Sequence, residues 1–158
     1  MPSITIEYMI MVPVLILQIF LFPLTASVIM NTYVDSRMTI ELQETAGHTG
    51  SSIQQLYYTI NHASVPNGTM KITLDTPPLI EGHAYTTTLS HVTHSETSSQ
   101  IMNITLELVG TKDQASTLVT LGQNVDWKEN LAFNSTAHSL SIIANKTSDS
   151  IWLSFGGS

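Results

Sequence analysis

Residues 8–30 read YMIMVPVLILQIFLFPLTASVIM, an apolar run of 23 residues that contains no charged side chain. At a rise of about 1.5 Å per residue, a helix of this length extends roughly 34 Å, enough to cross a hydrocarbon core of about 30 Å. A soluble domain in a chain of 158 residues has no room to bury such a helix on every side. The run therefore predicts a membrane-spanning length of helix.

Glu7 lies at the edge of this run and is the only charged residue before Asp35. A carboxylate placed in lipid costs about 3 kcal/mol or more. We therefore expect Glu7 to need a partner that neutralises it.

The flanks of the run do not match a signal peptide. A signal peptide has a basic start and an apolar core of about 7 to 15 residues, whereas here the first basic residue is Arg37. The basic flanks of a signal anchor are also missing. We expect that a basic leader preceded this sequence and was removed, or that the numbering begins near the processed end.

Composition narrows the possible functions. Charged residues make up 11% of the chain, with 12 acidic against 5 basic, and Ser and Thr fill 39 positions. Nucleic-acid binding needs clustered Lys and Arg, so no nucleic-acid partner is expected. The chain has no cysteine, which excludes disulfides and thiolate metal sites.

Beyond residue 30 the hydrophobicity falls, but apolar and small residues continue to recur at separations of 3, 4 and 7. The predicted stripe consists of Ile29, Tyr33, Ile40, Gly47, Gly50, Ile53, Tyr57 and Ile60. We predict one long helix within residues 1–62, apolar over 8–30 and amphipathic over 31–62. Its two glycines would permit close packing on a neighbour or a bend.

Pro13 and Pro23 lie inside this predicted helix. Each removes one backbone hydrogen bond and leaves a carbonyl that must be satisfied otherwise, for instance by Gln18 or Thr25, or by a locally altered helix. An ordinary kink in a membrane helix and a role in assembly both remain open.

Residues 63–68 form a linker, because Pro66 cannot continue the helix and Asn67-Gly68 favours a turn. From residue 69 onward apolar residues alternate with polar ones, which is the strand period. We predict strands near 70–74, 84–92, 102–108, 115–121, 130–134, 138–144 and 151–155. The predicted fold class is α+β, a long apolar helix followed by an antiparallel, immunoglobulin-like β-sandwich over residues 69–158.

The sequence offers no candidate catalytic or cofactor site. It lacks a Gly-x-Ser-x-Gly elbow, a Gly-rich phosphate loop and recognisably spaced carboxylates. His91 and His94 are three apart, so on one strand they would point to opposite faces. We predict neither an enzyme nor a metal site.

Four acceptor sites for N-glycosylation follow the helix, at Asn67, Asn103, Asn134 and Asn145. Strand alternation points Asn103 and Asn134 away from the apolar face, and Asn67 and Asn145 are placed in turns. We expect N-linked glycans on several of them, the alternative being chance matches in a chain rich in Ser and Thr.

The arrangement of Glu7, the apolar run, an amphipathic helix and a globular β-domain resembles the type IV pilin class. The all-β domain, the lack of cysteine and the acceptor sites make the chain similar to archaeal pilins or related adhesion-filament subunits. The resemblance implies processing by a prepilin peptidase. Cleavage before Ser3 would make Glu7 the fifth residue, as in the family, although a Met1-Pro2 start without a basic leader departs from the family pattern.

The resemblance further implies a membrane-embedded subunit that assembly machinery extracts into an extracellular homopolymer. Apolar helices would then pack along the filament axis and β-domains would form the wall. The expected assembly residues are Glu7, Pro13, Leu17, Ile19 and Pro23. Two other functions stay open: a motility filament subunit, and a monomeric, membrane-anchored surface protein.

Overall fold

The computed structural model of the protein describes residues 3–92, 100–127, 131–137, 140–148 and 150–156. One helix, α1, spans Ser3–Asn61 and precedes all the strands. The strands are β1 (Gly68–Thr73), β2 (Tyr85–Val92), β3 (Gln100–Leu108), β4 (Gln114–Leu121), β5 (Val125–Trp127), β6 (Leu131–Asn134), β7 (Ser141–Lys146) and β8 (Ile151–Gly156). The chain divides into two compact units, Met1–Arg37 and Met38–Ser158.

The strands form two sheets of four, in the orders β1-β7-β8-β5 and β4-β3-β2-β6. Every neighbouring pair is antiparallel except β5 and β8, which are parallel. The predicted long apolar helix followed by a β-rich domain is therefore confirmed. The predicted antiparallel pairing holds for the other strand pairs, and the exception arises because the short strand β5 joins β8 in the same direction.

Strand β3 shows the predicted alternation most clearly. Its buried residues are Met102, Ile104, Leu106 and Leu108, and the residues between them are exposed or half-buried. Antiparallel partners β2 and β4 flank β3 on its two edges. The alternation of apolar and polar residues therefore predicted β3 correctly, since one face of this strand is buried and the other is not.

Strand β7 begins and ends later than the predicted strand at 138–144. It runs over Ser141–Lys146, and Asn145 pairs with Trp152 of β8. The turn that we expected at Asn145 lies two residues later, where Thr147 N–H donates to the Ser150 carbonyl at 2.9 Å. The placement of Asn145 in a turn is therefore wrong.

In the unit Met38–Ser158, α1 contributes one buried face to a core shared with both sheets. That face consists of Leu42, Thr45, Ala46, Thr49, Gly50, Ile53, Leu56, Tyr57 and Ile60. A small void between the layers is lined by Ile53 together with residues of both sheets. Phe133 of β6 and Phe155 of β8 also meet across the sheets, with ring centroids 4.8 Å apart.

The predicted stripe was correct only from Gly50 onward. Ile29, Tyr33 and Ile40 are exposed. An α-helix turns about 100° per residue, so each step of three falls about 60° behind a full turn. Two such steps, from Gly47 to Ile53, rotate the predicted stripe by about 120° and bring it onto the buried face. The earlier residues of the stripe therefore lie off that face.

The end of α1 is fastened to the sheets by polar side chains. Tyr57 donates its hydroxyl hydrogen to Asn124 Oδ1 at 3.0 Å, and Asn124 Nδ2 donates to Asn61 Oδ1 at 2.9 Å. Lys146 Nζ donates to the carbonyls of His62 and Val65, both at 2.9 Å. A cation at the carboxyl end of a helix complements the helix dipole, so this lysine fixes where the helix ends.

Candidate assembly surface and glycosylation positions

The apolar segment, defined as residues 8–30, exposes side chains on every side of α1. Each of its residues is exposed in the isolated chain, and the large apolar ones include Met9, Ile16, Phe20, Phe22 and Ile29. Burying one such side chain stabilises a structure by about 1.5 to 3 kcal/mol. A surface that is apolar all round is suited to lipid or to neighbouring helices, and α1 is long and apolar enough to span a membrane.

The structure separates the predicted assembly residues into two faces of α1. Pro13 and Leu17 are four apart and share one face, as do Ile19 and Pro23, but Leu17 and Ile19 differ by about 200°. Leu17 is 59% exposed and Ile19 is 67% exposed. Contacts through these residues would therefore engage neighbours on opposite sides of the helix.

Glu7 lies within the backbone span of α1, Ser3–Asn61. Its side chain falls outside the described residues. The expectation that a neighbouring group neutralises Glu7 stays a prediction.

Helix α1 continues through both prolines. A proline has no backbone N–H, so Pro13 and Pro23 deprive the carbonyls of Met9 and Ile19 of their usual donors. The Thr25 hydroxyl donates to the carbonyls of Leu21, at 2.6 Å, and Phe22, at 3.1 Å. The expectation that Thr25 satisfies a carbonyl freed by proline is therefore wrong.

Gln18 does not satisfy a freed carbonyl of its own helix either. Among the residues that the structure describes, no hydrogen bond reaches its carboxamide. The side chain lines a hollow in the helix surface with Leu15, Ile19, Leu21, Phe22, Pro23 and Thr25. The sequence suggested Gln18 as one of several groups that could satisfy a freed carbonyl, and it could not show that the carboxamide lacks a described partner.

The four glycosylation acceptors occupy different environments in the unit Met38–Ser158. Asn67 precedes β1, Asn134 ends β6 and Asn145 lies on β7, and all three are exposed. Asn103 is half-buried on β3, between the buried residues Met102 and Ile104, so it points away from the core as predicted. The three exposed acceptors are open to modification, whereas Asn103 has less room.

The acceptor at Asn134 also has an ordered local geometry. Its Oδ1 accepts hydrogen bonds from the backbone N–H of Thr136, at 3.1 Å, and from the Thr136 hydroxyl, at 3.0 Å. Thr136 is the hydroxyl residue of the same acceptor motif. This turn presents the Asn134 carboxamide at the surface, away from the strand ladder.

Sequence reasoning missed an acidic hollow of about 440 Å³ in the unit Met38–Ser158. It is lined by Glu41, Glu44, Thr45, His48, Asp75, Thr76, Pro77 and Leu79. The helical spacing of its first two acids and its histidine, at i, i+3 and i+7, would have shown that they share a face. Within the described residues, no group of three or more His, Cys, Asp or Glu side chains is arranged to hold a metal ion. His91 is exposed on β2, and His94 lies outside the described residues.

Tyr85 contacts the loop that lines one side of this hollow. It is fully buried, and its hydroxyl donates to the Pro77 carbonyl at 2.8 Å. Burial raises the pKa of Tyr85 above its ordinary value. The neutral phenol therefore ties the Pro77 loop to β2, which is a structural role.

No protein-family model matches the chain, and no curated protein or solved structure is significantly similar to it.

Proposed function

We propose that this protein is the structural subunit of an extracellular filament of the type IV pilus kind, polymerising through its apolar segment and serving adhesion or surface attachment. The supporting observation is that residues 8–30 are apolar and exposed on every side of α1. The later part of the same helix, within Met38–Asn61, instead buries one face in a folded β-rich unit. One helix thus carries two kinds of surface, one for folding and one for association.

The apolar segment suits a subunit that passes from a membrane into a filament. Lipid tails and packed apolar helices are both dry surroundings, so the same side chains are accepted in each. Assembly would exchange contacts with lipid for contacts with other copies. Glu7 would be neutralised in the dry core by the amino terminus of an adjacent copy or by hydrogen bonds, because an unpaired buried carboxylate is strongly destabilising.

The unit Met38–Ser158 would be the part in contact with water. Its acceptors Asn67, Asn134 and Asn145 are exposed, and glycans there would shield the filament surface. We further infer that the two sheets form an immunoglobulin-like sandwich, supported by the single core that both sheets share and by the contact of Phe133 with Phe155. In this proposal the protein is not an enzyme, and it works outside the cell.

A membrane-anchored monomer is the second candidate, because the same apolar segment is long enough to span a bilayer. A filament that drives motility shares the layout of an adhesive one. Deletion of the gene distinguishes an adhesive filament from a motility filament. Loss of surface attachment favours a pilus, and loss of swimming favours a motility filament. Electron microscopy of shed surface material separates polymer from monomer.

The proposal is tested with two matched substitutions, Leu17→Asp in the apolar segment and Leu118→Asp on β4. Both leucines are exposed to a similar degree in the isolated chain, 59% and 66%. Packing Leu17→Asp among apolar helices would bury an unpaired carboxylate, so this variant should form no filaments. Leu118→Asp should form wild-type amounts. The measurement is filament yield by negative-stain electron microscopy and sedimentation.

Normal filaments from Leu17→Asp would contradict the proposal. So would loss of filaments from Leu118→Asp alone, since association would then run through the sheets. Glu7→Ala provides a second test: the β-rich unit should fold as in the wild type, but filaments should be lost. Wild-type filament yield from Glu7→Ala would remove the role assigned to Glu7.

A further inference from the structure

Gln18 carries the largest hydrogen-bonding group of the apolar segment. A carboxamide offers two N–H donors and a carbonyl acceptor, and in the described part of the chain none of these is used. Thr25, seven residues later, differs because its hydroxyl already donates to carbonyls of its own helix. A polar group in dry surroundings is costly unless it finds a partner, so Gln18 needs a partner that the described part of its own chain does not supply.

Pro23 leaves a matching acceptor beside Gln18. Because Pro23 has no N–H, the Ile19 carbonyl lacks its helical donor, and the Thr25 hydroxyl is engaged with other carbonyls. Gln18, Ile19 and Pro23 line the same hollow in the surface of α1. The lining of the hollow thus combines a residue whose carbonyl receives no hydrogen bond from Pro23 with the apolar residues Leu15 and Phe22.

The donor and the acceptor cannot meet within one helix. Side chains of an α-helix lean toward its amino terminus, whereas the backbone carbonyls point toward its carboxyl terminus. The Gln18 side chain therefore leans away from the Ile19 carbonyl that follows it. A neighbouring helix, shifted along the axis by roughly one turn of 5.4 Å, brings the two groups level.

We propose that Gln18 of one copy donates a carboxamide hydrogen to the Ile19 carbonyl of a neighbouring copy, in the hollow beside Pro23. This rests on the proposed function and names the polar contact that sets the register between subunits. A second copy is the fitting occupant, because each chain supplies a carboxamide that no described residue engages and a carbonyl to which Pro23 cannot donate. A donor on one copy and an acceptor on the next repeat head to tail, and such contacts build open helical polymers.

The test is a double-mutant cycle with Gln18→Met and Pro23→Ala in the full-length chain. Met keeps the length of the side chain but removes its N–H groups. Ala at position 23 restores a backbone N–H that bonds the Ile19 carbonyl within its own helix, which removes the acceptor. The readout is the critical concentration for polymerisation, measured by sedimentation after dilution of filaments.

Each single variant should raise the critical concentration about 3- to 20-fold, the range typical of one polar contact between membrane helices. The critical concentration of the double variant should be no higher than that of the more impaired single variant, since both changes remove the same bond. Pro13→Ala is the matched control. When it is combined with Gln18→Met, the fold-changes in critical concentration of the two single variants should multiply. Effects of Gln18→Met and Pro23→Ala that multiply would overturn the contact while leaving the filament intact.

Cross-linking gives a second readout if a variant does not polymerise. The natural chain has no cysteine, so chains carrying Gln18→Cys can be mixed with tagged chains carrying Phe22→Cys and treated with a short thiol cross-linker. Mixed dimers should form, whereas a mixture of Gln18→Cys with Ser27→Cys, on the opposite side of the helix, should give few. Equal yields from both mixtures would overturn the contact. A wild-type chain that forms no polymer would overturn the proposed function and this contact with it.

Discussion

Two glycines of α1, one turn apart, should respond in opposite ways to the same substitution. A Cβ added at Gly47 would meet nothing within 4 Å. A Cβ added at Gly50 would lie 2.8 Å from Val119 Cγ2 and 3.3 Å from Thr117 Cγ2, both on β4. The pair therefore reports whether this face of α1 packs against that strand.

The magnitudes follow from these distances. Glycine in a helix costs about 1 kcal/mol relative to alanine, so Gly47→Ala should raise the free energy of unfolding by about 0.5 to 1 kcal/mol. Gly50→Ala gains the same free energy from the higher helix propensity of alanine. It also overpacks a buried, β-branched neighbour, which costs about 1 to 3 kcal/mol. The two variants should differ by about 1 to 3 kcal/mol, with Gly50→Ala the less stable.

Urea unfolding of the full-length chain in detergent micelles, followed by near-ultraviolet circular dichroism, measures both free energies. Adding Val119→Ala to Gly50→Ala should recover part of the loss, because the new methyl group then fills space that the valine has vacated. Equal stabilisation by Gly47→Ala and Gly50→Ala would refute the packing of α1 on β4.

Three further predictions concern the β-rich unit. Thr87 is fully buried, and its hydroxyl has no partner among the described residues. The isosteric Thr87→Val should therefore raise the free energy of unfolding by about 1 to 2 kcal/mol. A free energy of unfolding below that of the wild type in the same urea assay would contradict this. Burial raises the pKa of Tyr85, so its contribution to the free energy of unfolding is complete below about pH 10 and is lost as the pH rises through the folded-state pKa. The Tyr85→Phe variant should therefore lose less stability above about pH 10 than the wild type. An equal alkaline loss in both proteins would exclude Tyr85 as its source. Asn134→Gln should lower the intact mass of native protein by one glycan, and an unchanged mass would show that this exposed acceptor is unused.

Much of the fold could be predicted from local pattern. The apolar run and the alternation in β3 each depend on the residues of one element, and the structure agrees with both. Strand β5 could not be found in this way: it has three residues, too few to show a period, and it is held by parallel pairing with β8, far along the chain. The buried face of α1 was only half predicted, since steps of three and four accumulate a rotation that spacing alone conceals.

The sequence likewise predicts some features of the candidate site, whereas others require the structure. The exposure of Leu17 and Ile19 is what an apolar run of membrane-spanning length predicts. The role of Gln18 required atomic hydrogen bonds, because the sequence cannot show that the Thr25 hydroxyl is already engaged with Leu21 and Phe22. The acidic hollow required the fold itself, which brings Asp75 beside residues of α1 that lie far from it in sequence.

Helical reconstruction by electron cryomicroscopy, on polymer purified from the cell surface, would show directly whether the apolar segments associate. We predict a continuous axial bundle of α-helices in which residues 8–30 of many copies are in contact, with β-rich density outside it. Isolated molecules, or fibres whose axis is filled by β-rich density, would contradict it.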